Sequence, residues 1–387
     1  MTLPTLPHED LGQEWAARRG VRRLLHVDTA ACGRSSAAVR ARIAEHLIAE
    51  SDTGGYVAEG EAQEELDRLQ TNLANLIGFA AEDIVFLESA STALAQLLSA
   101  WPFETGQTVW AVRSEWGPNL AAFADRGLVV EFLDVDDAGV LDLDALAARL
   151  RIQRPAAVHL TAAASHRALL QPIAAAAAVC GAAEVPLIVD SAQALGQIEI
   201  EPGAAATYGT SRKWLCGPRG VGFLAVREPW QSRLMPVAPA LSNAAWPSAG
   251  GRPLPRLGSR EAFVGGRLGL GVAIAEHLEL GPARIRERLH GIAVALRTAF
   301  ADLSAWRLND AIDAPGALVT LAPKDDGLDV AEFRAALLSR GVLCTAAQPE
   351  RAPHEMTGYL LRFSPHLETT LEDVEQIAKR VDQFRIS

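Results

Sequence analysis

The feature that most limits how this chain can fold is the regular return of short Val-, Ile- and Leu-rich runs between longer helical stretches. "IVFL" at 84–87 comes before a Ser/Ala turn and the helical apolar spacing of "ALAQLLSAW". "TVWAVR" leads to a helix near "NLAAFADRG", "LVVEFLDV" to "DLDALAARLR", and "AVHLTAA" to the Ala-rich "PIAAAAAVCGAA", with "VPLIVDSAQALG" closing the series. A strand covered on both faces needs apolar side chains on both, so it reads as a continuous run. Such runs alternating with helices make a mostly parallel α/β sheet. Ligands of these sheets sit beyond the carboxyl ends of the strands. The loops after "IVFL", "VWAV", "VHL" and "LIV" therefore converge on one crevice, and they carry Ser91, Trp116, Ser165 and Asp190.

The alternation breaks at residues 236–260, "PVAPALSNAAWPSAGGRPLPRLGSR", whose Pro, Gly and Ser content marks a domain crossing or an active-site loop. A long helical stretch follows, then strands and helices again from "ALVTLAP" to "TLEDVEQIAKRVDQF". This predicts an N-terminal segment over 1–25 that packs near the smaller domain. A large domain over 26–255 and a smaller C-terminal α+β domain over 256–387 follow it. With 47 acidic against 36 basic side chains, the formal charge of -11 repels phosphate backbones and anionic lipid. Neither nucleic acid nor a membrane surface is an expected partner. Cys32, Cys180, Cys216 and Cys344 show no CxxC spacing, so neither a metal site nor a disulfide framework is expected. The polar, acidic N-terminus lacks a signal-peptide pattern, and the expected setting is the reducing cytoplasm.

Within "TYGTSRKWLCGPRGVGFLAV", residues 207–226, Lys213 stands among small residues before a Gly-rich turn. Lysine is strongly hydrated, so sheltering one needs a reason. A Schiff base to a carbonyl cofactor is such a reason, and pyridoxal 5'-phosphate is the leading candidate. That cofactor wants a carboxylate at its ring nitrogen, and Asp190 ends "PLIVD". It wants a phosphate cradle at a helix start, which "SASTALAQLL" offers through Ala90, Ser91 and Thr92. Trp116 in "RSEWGPN" offers a flat group for the ring face. Singly, a Ser/Thr turn is most often an N-cap and a strand-end Asp a turn residue. The order of the whole set carries the argument.

"VDSAQALG" followed by "YGTSRKWLCGPRGVGFL" resembles the class V aminotransferase family of PLP-dependent, fold-type I enzymes, which includes the cysteine desulfurases. The likeness runs from "HVDTAACG" to "LLRFSPHLETTLEDVEQ". It implies an α/β chain of the PLP-dependent transferase fold type I. In that fold a mostly parallel, seven-stranded-type sheet forms the large domain, and the crevice lies at a homodimer interface. It implies Lys213 as the cofactor lysine and Asp190 as the ring-nitrogen partner. Gln193 and Ser165 fall near the phenolic oxygen, and Ser91, Ala90, Thr92, Thr210 and Arg212 around the phosphate. Arg362 in "LLRFSPH" falls on the arginine for the substrate carboxylate, where a planar fork suits bidentate binding. Ser259 is the candidate phosphate contact from the neighbouring subunit.

Trp116 replaces the family's ring-stacking histidine, and Cys344 lies several residues before the position of a desulfurase's mobile sulfur-accepting cysteine. Buried packing is the expected role of Cys344. Within the family the chain looks most like the C–S lyases of ergothioneine biosynthesis. That likeness implies β-elimination from hercynylcysteine sulfoxide. A desulfurase or selenocysteine lyase, an aminotransferase and a silent binding module are the rival readings. Tyr56 is a candidate active-site loop residue, and Trp246 a candidate wall for a trimethylammonium group. His166 and Arg167 are expected either at a substrate carboxylate or in solvent.

Overall fold

The structure is a computed structural model and describes residues 3–235, 252–259, 261–325 and 327–383. Trp246 lies outside the described residues.

The N-terminal part contains helix α1 (Glu9–Arg19), strand β1 (Leu25–His26), and helices α2 (Ala37–Thr53), α3 (Gly55–Glu61) and α4 (Gln63–Ile77). Then come β2 (Ile84–Leu87), α5 (Ala90–Ala100), β3 (Thr108–Ala111), α6 (Gly117–Asp125), β4 (Val129–Phe132) and α7 (Leu143–Leu150). The series ends with β5 (Ala157–Thr161), α8 (Ile173–Ala182), β6 (Leu187–Asp190), β7 (Ala206–Thr210) and β8 (Gly222–Val226). The last part contains α9 (Val264–Leu280), α10 (Pro282–Phe300), β9 (Trp306–Leu308), β10 (Val319–Pro323) and α11 (Val330–Ser339). Strands β11 (Val342–Leu343), β12 (Thr345–Ala347) and β13 (Leu360–Phe363) precede α12 (Leu371–Gln383).

Seven strands form one sheet in the order β2-β8-β7-β6-β5-β3-β4. Only β8 runs against its neighbours, so the carboxyl ends of the other six lie on one edge. The central strands β5, β6 and β7 are buried along their whole length, which explains the apolar run of β6 before Asp190 and obliges the polar side chains of β5 and β7 to find partners. Register brings Thr161, Asp190 and Tyr208 side by side across β5, β6 and β7. Side chains two apart on a strand share a face. His159 therefore lies on the same face as Thr161, directly behind it.

Helix α5 begins where Ser89 accepts the Thr92 amide hydrogen at 3.0 Å, the side-chain cap expected of a Ser before an apolar helix. Strand β8 passes close behind this turn. A Cβ on Gly222 would lie 2.5 Å from the Ser89 carbonyl carbon, so only glycine lets the two backbones approach.

A second sheet, antiparallel in the order β12-β13-β10-β9, packs with α10, α11 and α12 around Trp306, Phe333 and Phe363. Helix α9 packs on α2 and α4, whereas α10 packs on α12, so the chain passes to this second unit near Gly281. The division expected at 256 falls ahead of α9. Leu6 joins the core of the C-terminal unit, and Leu11 and Trp15 of α1 pack on Trp214, Leu318 and Leu367. Among the described residues, no helix is long and apolar enough to cross a membrane.

Candidate active site

A cavity of about 220 Å³ opens at the carboxyl edge of the seven-stranded sheet, with Lys213 and Asp190 in its wall. A larger and more open one, about 750 Å³, is lined by His166, Arg167, Arg307 and Glu355 but does not include Lys213. The smaller cavity brings together most of the residues singled out in the sequence: Ala90, Ser91, Trp116, Ser165, Gln193, Thr210 and Arg212 join Lys213 and Asp190. They come from the ends of β2, β3, β5, β6 and β7, as strand-edge convergence requires.

Lys213 sits in the turn after β7, held there by two backbone hydrogen bonds, Gly33 N–H to the Arg212 carbonyl and Cys216 N–H to the Lys213 carbonyl. Burial pulls its ammonium down to about 7. Arg212, Arg362 and Arg351 push the same way, and Asp190 opposes them. An amine near neutrality at physiological pH is a competent nucleophile. Asp190 is 4% exposed; its Oδ1 accepts the Ala192 amide hydrogen at 2.8 Å and its Oδ2 accepts from Asn119 at 3.1 Å. Burial pushes this carboxyl up and the Lys213 charge draws it back.

Arg362 on β13 is fully buried, reaching across from the C-terminal unit. One terminal nitrogen donates to the Ser165 carbonyl at 2.7 Å, the other lies 3.7 Å from Asp28, and Nε has no partner. Burial and Arg351 draw this guanidinium down to about 10. A buried cation with an unused donor fits a ligand carboxylate. The Ser165 hydroxyl is likewise buried without a partner.

Several residues differ from expectation. The Thr92 amide is taken by Ser89, and Thr92 does not line the cavity. Ser89 lines it instead. Gln193 donates to the Ala30 carbonyl and accepts from the Trp214 indole, both at 3.1 Å, which leaves one amide hydrogen for a ligand. Ser259 accepts the Glu261 amide hydrogen at 3.0 Å and is absent from this chain's own cavity. Tyr56 is 67% exposed on α3, outside the cavity, because α3 packs at the far ends of α2 and α4. His166 and Arg167 lie outside the Lys213 cavity and line the larger, open one, where both are ion-paired with Glu355. Arg351, which the sequence reading missed, also lines the cavity. It lies in a short turn whose sequence, "PER", carries no periodic or motif signal.

Pyridoxal phosphate suits this donor set. An amine of lowered basicity faces a buried carboxylate. The start of α5 and Arg212 offer N–H groups for a phosphate, and an orphaned Arg362 donor awaits a carboxylate. Cys344 does not join them. It is fully buried between β11 and β12, its carbonyl accepts from Arg334 at 2.9 Å, and burial pushes its thiol far up.

Comparison with known proteins agrees with this geometry. The aminotransferase class-V family profile matches residues 26–377. A Mycobacterium tuberculosis protein named probable hercynylcysteine sulfoxide lyase is 42% identical over 375 residues, 96% of this chain and 93% of that one. A cysteine desulfurase of Neisseria meningitidis is 29% identical over 182 residues, 45% of each chain. The apo cysteine desulfurase of Thermococcus onnurineus superposes with a TM-score of 0.85 at 19% identity, covering 99% of both chains. A cystine C–S lyase in complex with cysteine persulfide gives 0.84 at 17% identity, covering 95% of this chain and 99% of that one. With its lysine, strand-end aspartate and sheet order all in place, the chain belongs to the aminotransferase class-V family.

Proposed function

We propose that this chain is a pyridoxal-phosphate-dependent carbon–sulfur lyase that cleaves the Cβ–S bond of a cysteine S-conjugate sulfoxide, hercynylcysteine sulfoxide. The observation that carries the lyase reading over a desulfurase is the burial of Cys344: among the described residues no cysteine lines the cavity to take up sulfur, exposed Cys32 included. The relative's printed name supports the same substrate class.

When bound, pyridoxal phosphate supplies an electron sink for negative charge at the substrate Cα. The chain's residues do the rest. Arg362 and Ser165 hold the substrate carboxylate with donors that are otherwise unpaired. Asp190 would hold a positive charge at the nitrogen of a bound ring, and the indole of Trp116, in the same cavity wall, would cover one of its faces. The Lys213 amine takes the Cα proton. Loss of that proton and of the Cβ–S bond gives a sulfenic acid and aminoacrylate, and aminoacrylate takes up water to give pyruvate and ammonia. A sulfenate leaves more readily than a thiolate, so no acceptor cysteine is needed. Conversion of the sulfenate to ergothioneine needs a separate two-electron reductant.

The test is pyruvate release from a panel of S-substituted cysteines and their sulfoxides. Preference for the hercynyl sulfoxide is expected. Turnover confined to free cysteine overturns the substrate assignment. A homodimer is part of the proposal. Leu47 and Ile48 on α2, Val57 on α3 and Phe263 ahead of α9 are exposed apolar side chains on neighbouring elements, a surface suited to a second copy. Sedimentation at monomer mass with full activity contradicts that assembly. The cytoplasmic location read from the sequence stays part of the same proposal.

A further inference from the structure

Behind Asp190 lies a closed set of buried polar groups that substrate cleavage as described does not use. Glu115, fully buried in the turn between β3 and α6, is its centre. Its Oε1 accepts from the Trp116 amide at 2.8 Å, from Asn119 Nδ2 at 2.9 Å and from the Thr161 hydroxyl at 2.6 Å. Its Oε2 lies 2.9 Å from His159 Nδ1. His159 Nε2 is 3.0 Å from the Tyr208 hydroxyl, and strand register sets Tyr208 beside Asp190. The two hydrogens of Asn119 Nδ2 go one to Glu115 and one to Asp190.

A buried carboxylate without partners is costly, and this one has four. Asp190 receives donors from Asn119 and the Ala192 amide, so Asn119 ties its carboxylate directly to Glu115. Burial alone pushes Glu115 up, yet the facing His159 and the hydrogen bonds hold it below the usual carboxylate range.

We propose that Glu115 is a positioning residue for the cofactor ring, setting Asp190 through Asn119 and setting the turn that presents Trp116. This rests on the cofactor reading above, since Asp190 and Trp116 are placed there as its ring contacts. One side chain thereby fixes both the ring-nitrogen partner and the face-covering indole.

The experiment reads the bound cofactor itself. With ¹⁵N-labelled pyridoxal phosphate, the ring-nitrogen signal is expected to move toward its unprotonated position in Glu115→Gln and in Asn119→Ala, with about tenfold weaker cofactor binding in Glu115→Gln. A folded Glu115→Gln protein with the parent signal and affinity overturns the proposal. Should that variant not fold, an unchanged ring-nitrogen signal in Asn119→Ala overturns it instead. Failure of the parent chain to bind cofactor refutes the cofactor reading, whereas parent-like variants beside a cofactor-binding parent refute the role of Glu115 alone.

Discussion

The two walls of the cavity are built on opposite plans. On the sheet side, Asn119 joins Asp190 to Glu115, and Glu115 continues through His159 to Tyr208, a network anchored on three adjacent strands. On the side of the C-terminal unit, Arg362 is fully buried behind the cavity-lining Ser165, whose carbonyl it holds, and its Nε and the Ser165 hydroxyl have no partner. A buried donor left unpaired beside a cavity is one that a ligand group can satisfy. The sheet wall suits a permanent occupant and the opposite wall a transient one. This is a division of labour between a resident cofactor and a passing substrate.

The largest expected effect breaks the sheet wall. Lys213→Ala is expected to lower pyruvate release by roughly 1,000-fold or more, since it removes both a nucleophile and a base. Borohydride reduction and peptide mapping are expected to find the cofactor on Lys213 in the parent chain and nowhere in the variant. Cofactor trapped on another residue refutes the assignment.

Arg362→Ala tests the opposite wall. Loss of a charge-assisted pair, about 1.5–3 kcal/mol, corresponds to about 10- to 100-fold in kcat/KM. The visible spectrum of bound cofactor is expected to stay that of the parent chain. A spectral change as large as the kinetic one breaks the distinction between the walls.

The pH dependence sharpens the same contrast. Lys213 is drawn down to about 7, so its reactive neutral form dominates above that pH and is lost below it. Cofactor capture by cofactor-free protein, followed by absorbance, is expected to fall about tenfold per pH unit below 7 and to level above it. Capture that stays flat down to pH 5, or a rise that begins only near pH 10, contradicts this environment.

The smallest effect is expected at Cys344→Ala: turnover unchanged within about twofold and a stability loss of about 1 kcal/mol from a small buried cavity. Abolished turnover restores the desulfurase reading.

Reading the sequence located the sheet wall better than its counterpart. Short unbroken apolar runs can only be strands covered on both faces, and their carboxyl ends must share an edge, so Ser91, Trp116, Asp190 and Lys213 were legible from order alone. Ser89 was passed over because Ser and Thr are interchangeable in a cap until geometry shows which one accepts the Thr92 amide hydrogen. Tyr56 stays outside this chain's own cavity, because family likeness brings a loop near a crevice without saying whose crevice it meets.

What the chain determined by itself is its architecture and the setting of Lys213 among small residues before a Gly-rich turn, because periodicity and punctuation act over a few residues. Pairing at long range was decided only in three dimensions. Glu115 meets His159, and through it Tyr208, only when β5 and β7 are assembled, while Arg351 lines the cavity from the turn before β13 and Arg362 of β13 holds the carbonyl of Ser165 in its wall. A buried charge is tolerable only beside partners from distant parts of the chain, and no local pattern records which partners those are.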